Sequence, residues 1–198
     1  DPLTRMFGLI RNRLIDDPAG CAAELAKHHQ DLLQAIAALP IPVDGTVFEA
    51  ATPFTSYCRL RALCETTRAT LFYCDRYVDH TVFHRLLGCV PTAVKVTIIT
   101  WPASKHKPAA WYAFIDVSRM YAKERPATYR LVVEPTFHDR WLQCDDQLFV
   151  LGGSVKDAGD KSVFTVSRME PTPQNFQKVS DLVNNGTELF GPTQTTHA

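Results

Sequence analysis

The sequence predicts an α/β fold, a mixed sheet flanked by helices and preceded by an N-terminal helical segment. Three observations lead there. From about residue 68, short runs rich in strand formers alternate with stretches of helical period, the pattern of parallel strands joined by crossover helices. After Pro135 three strand-like runs follow one another with short turns between them, which points to an antiparallel portion. Before residue 40 the apolar residues recur at helical spacing instead.

Taken in order, Leu3, Met6, Phe7, Ile10 and Leu14 fall on one helical face. Asp17 and Pro18 form an N-cap and first-turn pair opening a second helix. That helix carries Leu25, Leu32, Leu33 and Ile36 and ends near Pro40. His28 and His29 lie on it as neighbours about 100° apart, a poor arrangement for shared metal ligation. LPIPVDG (39–45) reads as a linker. The expected division is therefore a helical segment over 1–45 and an α/β domain over 46–198. Within the domain, 53–67 is a helix that partly buries Cys58, Leu60 and Leu63. ATLFYCD is a strand ending at Asp75, VDHTVFHRLLG a helix, and VKVTIIT (94–100) a strong strand. A loop with Lys105, His106 and Lys107 leads to a helix over roughly 109–123, and TYRLVVE (128–134) is the next strand. HDRWLQCD, QLFVLGG and KSVFTVSRM are the three antiparallel strands. Thr172 and Pro173 open a last helix that turns Phe176, Val179, Leu182 and Val183 to the core.

The 198 residues suffice for one substantial domain, with or without a helical appendage. Acidic and basic residues number 21 each, so the totals give no broad electrostatic footprint for nucleic acid. A local basic groove is compatible with that balance. Six cysteines stand at 21, 58, 64, 74, 89 and 144, with no CxxC pair; the spacing argues against a zinc ribbon or thioredoxin-type pair. Their place in apolar runs predicts reduced thiols and a cytoplasmic protein. No segment has the length of a membrane span or the pattern of a signal peptide. The first residue is Asp1, not Met, as expected of a fragment or a processed product.

Chemistry concentrates between His138 and Asp157. On a strand, residues i and i+2 point the same way, so His138 and Arg140 are expected on one face and Trp141 on the other. A histidine beside a permanent cation suits a phosphate: the imidazole attacks phosphorus or moves a proton, and the guanidinium holds the oxygens. Asp145 is the candidate to orient the histidine. Gly152, Gly153 and Ser154 would bring backbone amides and a hydroxyl to the same anion, with Lys156 and Asp157 beside them. Asp75 reads either as a ligand contact at a strand end or as a capping acid. Lys156 and Lys161 read as phosphate contacts or as solvated turn residues. Lys105, His106 and Lys107 form a basic surface loop, and Trp101 and Trp111 read as packing.

His138, Arg140 and Asp145, followed after six residues by Gly152, resemble the His-x-Lys-x4-Asp-x6-Gly-Ser-x-Asn motif of the phospholipase D superfamily. With CDRYVD and VKVTIIT upstream, the resemblance covers roughly residues 66–190 and is to a divergent bacterial branch with one motif per chain. It implies the phospholipase D-like fold and a metal-independent phosphodiesterase, in the leading reading a nuclease. His138 would be the nucleophile that forms a phosphohistidine, Arg140 the stabiliser of phosphoryl charge, and Asp145 the third member. Gly153, Ser154, Lys156 and Asp157 would contact substrate. No metal or other cofactor is required. Because the superfamily site uses two motifs and this chain carries one, a homodimer is implied. Bacterial defence and mobile-element systems are where such relatives often occur.

Three departures mark the motif: Arg140 replaces lysine, an extra glycine shifts Ser154 by one place, and the usual asparagine is absent. They keep a second reading open, a non-catalytic binding or assembly module within a larger complex. The eukaryotic trafficking proteins with a microtubule-interacting domain carry a similar His-Asp-Arg element in such a module.

Overall fold

The computed structural model describes residues 15–37 and 45–192, with side chains left out over 32–37. The helix expected over 3–14, the linker before residue 45, and the apolar face of Leu32, Leu33 and Ile36 lie outside what is described. The chain forms two compact units, residues 1–42 and 43–198.

In the first unit, α1 spans Pro18–Ala37. Asp17 caps it as its sequence predicts, its Oδ1 accepting the Gly20 N–H at 2.8 Å. His28 and His29 are exposed.

The second unit is built on one eight-stranded mixed sheet. In chain order its elements are β1 (Gly45–Phe48), α2 (Pro53–Glu65), β2 (Thr70–Cys74), α3 (Thr81–Arg85), β3 (Lys95–Thr100), α4 (Pro108–Glu124), β4 (Tyr129–Val133), β5 (Arg140–Cys144), β6 (Gln147–Leu151), β7 (Phe164–Met169), α5 (Pro173–Asn185) and β8 (Thr187–Phe190). The strands are ordered β1-β7-β6-β5-β2-β3-β4-β8. β2, β3 and β4 are parallel neighbours, whereas β5, β6 and β7 run antiparallel, with β5 against β2. The β-branched run Val-Thr-Ile-Ile-Thr makes β3 a central strand: Val96, Ile98 and Ile99 are at most 1% exposed because both faces are covered.

Each sheet face has its own core. On one, Leu71, Tyr73, Ile98 and Leu142 pack with Leu60 and Cys64 of α2, Phe83 of α3 and Phe114 of α4. On the other, Phe72, Cys74, Ile99 and Trp141 meet Phe176, Val179, Leu182 and Val183 of α5. The period of α5 read from sequence is thus its buried stripe, and Thr172 caps it through the Asn175 N–H at 3.2 Å.

Two strands were not anticipated. β1 begins at the last residue of the stretch read as a linker, and β8 lies in a polar tail with little alternation. Both are four-residue edge strands held by tertiary pairing, β1 on β7 and β8 on β4. α2 faces inward through Ser56, Leu60 and Cys64, while Cys58 is exposed. The helix after Asp79 is one short turn followed by a 3₁₀ turn over Leu87–Cys89. Among the described residues no helix is long and apolar enough to cross a membrane.

Removing three carbons from the fully buried Ile98 leaves a cavity in the central strand. Ile98→Ala is expected to lower unfolding free energy by about 2–5 kcal/mol. Phe54→Ala, at a side chain 76% exposed, is expected to change it by less than about 0.5 kcal/mol. Urea denaturation of both variants checks the contrast.

Candidate functional site

Parallel strands β2, β3 and β4 end at one edge of the sheet, and antiparallel β5 begins there while β6 ends there. This edge gathers Asp75 and Arg76 after β2, Trp101 after β3, Glu134 after β4, Arg140 at the start of β5, and the Gly152–Ser154 turn after β6. Such a carboxyl edge is where open α/β sheets bind ligands.

The centre of the cluster is Asp75, which is 0% exposed. Cys74 pairs with Trp141, so the next step along the ladder brings Asp75 opposite Arg140. The Arg140 Nε donates to Asp75 Oδ1 at 3.2 Å, and its side chain remains 18% exposed. The Tyr77 N–H donates to the same oxygen at 3.0 Å. Oδ2 accepts the Tyr73 hydroxyl at 2.8 Å and the Ser154 hydroxyl. Burial, and then the Asp75 charge, push the Tyr73 phenol well above its usual range, so it stays a donor. This is a buried charge with every neighbour a donor, as burial of a carboxylate demands.

His138 lies just before β5, in a loop, and is exposed. The loop is fixed from below. Buried Glu134 accepts the Thr136 N–H (2.9 Å), the Thr136 hydroxyl (2.6 Å) and the Phe137 N–H (3.0 Å). The Trp101 indole N–H donates to the Phe137 carbonyl at 3.0 Å. The His138 ring then stands edge-on to Trp101, centroids 6.1 Å apart. Its Nδ1 is 3.1 Å from Arg76 Nη1. A guanidinium has only donors, so Nδ1 accepts and a neutral ring carries its proton on Nε2. Arg76 also lies over Trp101, 5.1 Å from its centroid. Its buried Nε has no hydrogen-bond partner among the described residues.

The structure thus makes two groups, His138 with Arg76 and Asp75 with Arg140 and Ser154, adjacent through the Asp75–Arg76 peptide, and leaves Asp145 out of both. Asp145 sits in the β5–β6 turn, at the opposite end of β5 and about 16 Å away at strand rise. In a left-handed conformation (φ 54°), it accepts the N–H groups of Arg68 (2.8 Å), Ala69 (2.8 Å) and Thr70 (2.9 Å). The expectation that it orients His138 is corrected: its spacing serves the start of β2. Ser154 faces the buried carboxylate, not an open anion pocket, and Gly153 packs against Phe164. Lys156 pairs with Asp157 at the surface, and the neighbouring Val155 and Lys156 carbonyls are held by Arg85 at 2.9 and 2.8 Å. Arg76 was not anticipated; the signal available was a charged pair closing an apolar run at a strand end. Among the described residues no group of three or more His, Cys, Asp or Glu side chains is placed to hold a metal ion.

No protein-family model matches the chain, and no curated protein matches it. Solved structures do share its fold. Nuc from Salmonella typhimurium, a phospholipase D family member, superposes with a TM-score of 0.56 at 12% identity, covering 75% of this chain and 100% of its own. NucT from Helicobacter pylori gives 0.56 at 11% identity, covering 73% and 98%. The archaeal chromatin protein TrmBL2, described with a novel mode of DNA binding, gives 0.50 at 16% identity, covering 93% and 68%. The fold is therefore phospholipase D-like.

Burial alone would raise the Asp145 carboxyl, but the three backbone N–H groups outweigh it and hold the group below its ordinary range. A depressed folded-state value means stability present above the unfolded value, about 3.9, and lost as pH falls through the folded one. Asp145→Asn keeps a residue tolerant of the left-handed conformation and removes the charge. It is expected to destabilise by about 1 kcal/mol at pH 7, with the gap to wild type closing below about pH 4. Thermal melts of both proteins across pH would expose the opposite trend.

Proposed function

We propose that this chain is a phospholipase D-like phosphodiesterase, most specifically a metal-independent nuclease. The observation that carries the reading is an exposed histidine held against the Arg76 guanidinium at the carboxyl edge of the sheet, where Arg140, anchored on Asp75, supplies a second. The unsatisfied, buried Arg76 Nε–H adds to it, since a buried donor lacking a partner is rare unless something else completes it. A phosphodiester oxygen is an acceptor of the right charge. The fold neighbours support the direction: Nuc is a phospholipase D family member, and TrmBL2 is a chromatin protein that binds DNA.

In this reading Nε2 of His138 attacks phosphorus and the bond from phosphorus to the leaving oxygen breaks. The leaving oxygen takes the Nε2 proton of a second copy's His138 in its imidazolium form, which leaves that ring neutral. That histidine then deprotonates water, which attacks the phosphohistidine and releases the free ring. Attack requires a lone pair on Nε2, whereas the hydrogen bond from Arg76 keeps a proton there. Binding of the phosphate draws Arg76 onto its oxygens and frees Nδ1 to take the proton. Arg76 is in this way both a transition-state contact and the latch on the nucleophile. Arg140, anchored by Asp75, supplies the second cation. Asp145 acts only through the strand it tethers.

Hydrolysis of bis(p-nitrophenyl) phosphate and of oligonucleotides is expected to persist in EDTA. His138→Ala is expected to reduce it to background, and Arg76→Gln by about 10²-fold. Acid-stable trapping of the substrate phosphoryl group on wild type but not on His138→Ala is not expected, because phosphohistidine is acid-labile; trapping under alkaline quench is. Activity that survives His138→Ala, or is abolished by EDTA, overturns the mechanism.

A further inference from the structure

We infer that a cavity beside this site is a subsite for one nucleotide of a single-stranded nucleic acid, with the phosphate held by Lys105, Lys107 and Lys156 and the base laid against Tyr77. It takes its substrate class from the phosphodiesterase reading and extends it to residues outside the chemistry. The cavity has a volume of about 400 Å³ and is lined by these four side chains with His106 and Asp79. That is within the range of small-ligand pockets, about 300–1,000 Å³, and far too small to admit a duplex.

Its position follows from the central cluster. Tyr77 lies two residues after Asp75 and donates its N–H to that carboxylate; Lys156 lies two residues after Ser154, which donates to the same group. The far wall is the basic loop ahead of α4. His106 anchors it, with Nε2 3.1 Å from the Trp101 carbonyl. Burial holds His106 below the usual imidazole range, so it contributes a neutral ring and the lysines contribute the charge. α4 opens at Pro108 with no side-chain cap on Lys107, and Trp111 is the first residue bonded back, to the Lys107 carbonyl at 3.0 Å. The N–H of cavity-lining Ala110 therefore belongs to the first helical turn, whose donors lack intrahelical partners and favour an anion.

The acids nearby do not cancel this. The Asp79 carboxylate is engaged by the Thr81 N–H at 2.9 Å and hydroxyl at 2.5 Å. Asp157 takes one donor of the Lys156 ammonium, which carries three. The Tyr77 ring is 40% exposed and lies edge-on to Trp101 with centroids 5.6 Å apart. The Arg76 guanidinium lies over the same ring at 5.5 Å from its centroid, and the exposed remainder is the surface on which a base would stack. Only an unpaired base offers its face to such a ring, which is the ground for a single strand.

The test is fluorescence anisotropy with a short labelled oligothymidylate, in full-length His138→Ala protein so that the strand stays intact. A Lys105→Gln, Lys107→Gln, Lys156→Gln triple variant in that background is expected to bind at least 10-fold more weakly, with a salt slope smaller by about 2. Tyr77→Ala is expected to weaken binding of the oligonucleotide but not of the same strand made abasic. Deoxythymidine monophosphate is expected to compete better than inorganic phosphate. Thermal melts of each variant separate loss of contact from loss of fold. Unchanged affinity and slope in a folded triple variant overturns the inference, as does absence of binding by the parent protein. Equal competition by inorganic phosphate overturns the nucleotide assignment. Hydrolysis of bis(p-nitrophenyl) phosphate, too small to span both places, reports on the phosphodiesterase reading separately.

Discussion

The structure around the site depends on one buried carboxylate. Asp75 is buried just past the end of β2, and its two oxygens draw donors from the end of β2, the start of β5 and the turn after β6. A lone carboxylate there would be strongly disfavoured, and removing Arg140 leaves an uncompensated charge behind. The same arrangement therefore locks three chain segments together and fixes the orientation of Arg140. What looks like a binding cation at the sheet edge is in part a structural one, with one donor committed inward before any ligand arrives.

Outward from that pin, polarity is graded. Tyr73 and Ser154 are sealed, Arg140 is partly open, and Arg76 and His138 meet at the surface. Arg76, held over the Tyr77 and Trp101 rings and against His138, keeps attraction for an incoming anion. In the proposed reaction, Arg76 is the single side chain through which anion binding would reach the His138 ring.

Much of the fold was legible in the sequence because its signals were local. The β-branched run of β3, the apolar stripe of α5 and the Thr172-Pro173 start state their own structure. β1 and β8 do not; Gly45–Phe48 and Thr187–Phe190 become strands only because a neighbouring edge offers hydrogen bonds. In the site, the pairing of types at His138 and Arg140 was visible, but their partners were not. Asp75 and Arg76 lie more than 60 residues upstream in the chain, and only parallel pairing with an antiparallel return brings them together. The place of Asp145 was misleading for the opposite reason. A fixed spacing along the chain suggested proximity, whereas along an extended strand the same spacing means distance.

That last point gives the interval between Arg140 and Asp145 a meaning of its own. Asp145 grips the amides that open β2, and Arg140 meets the carboxylate that closes it. The two residues clamp β5 to β2 from both ends, so the stretch between them works as a ruler cut to the length of its neighbour. Lengthening or shortening it by a single residue would turn every side chain beyond the change to the other face. The guanidinium would then point toward α5 and the tryptophan toward Asp75. A short motif kept at constant length can in this way encode the alignment of two strands, independent of whatever reaction its ends have come to serve.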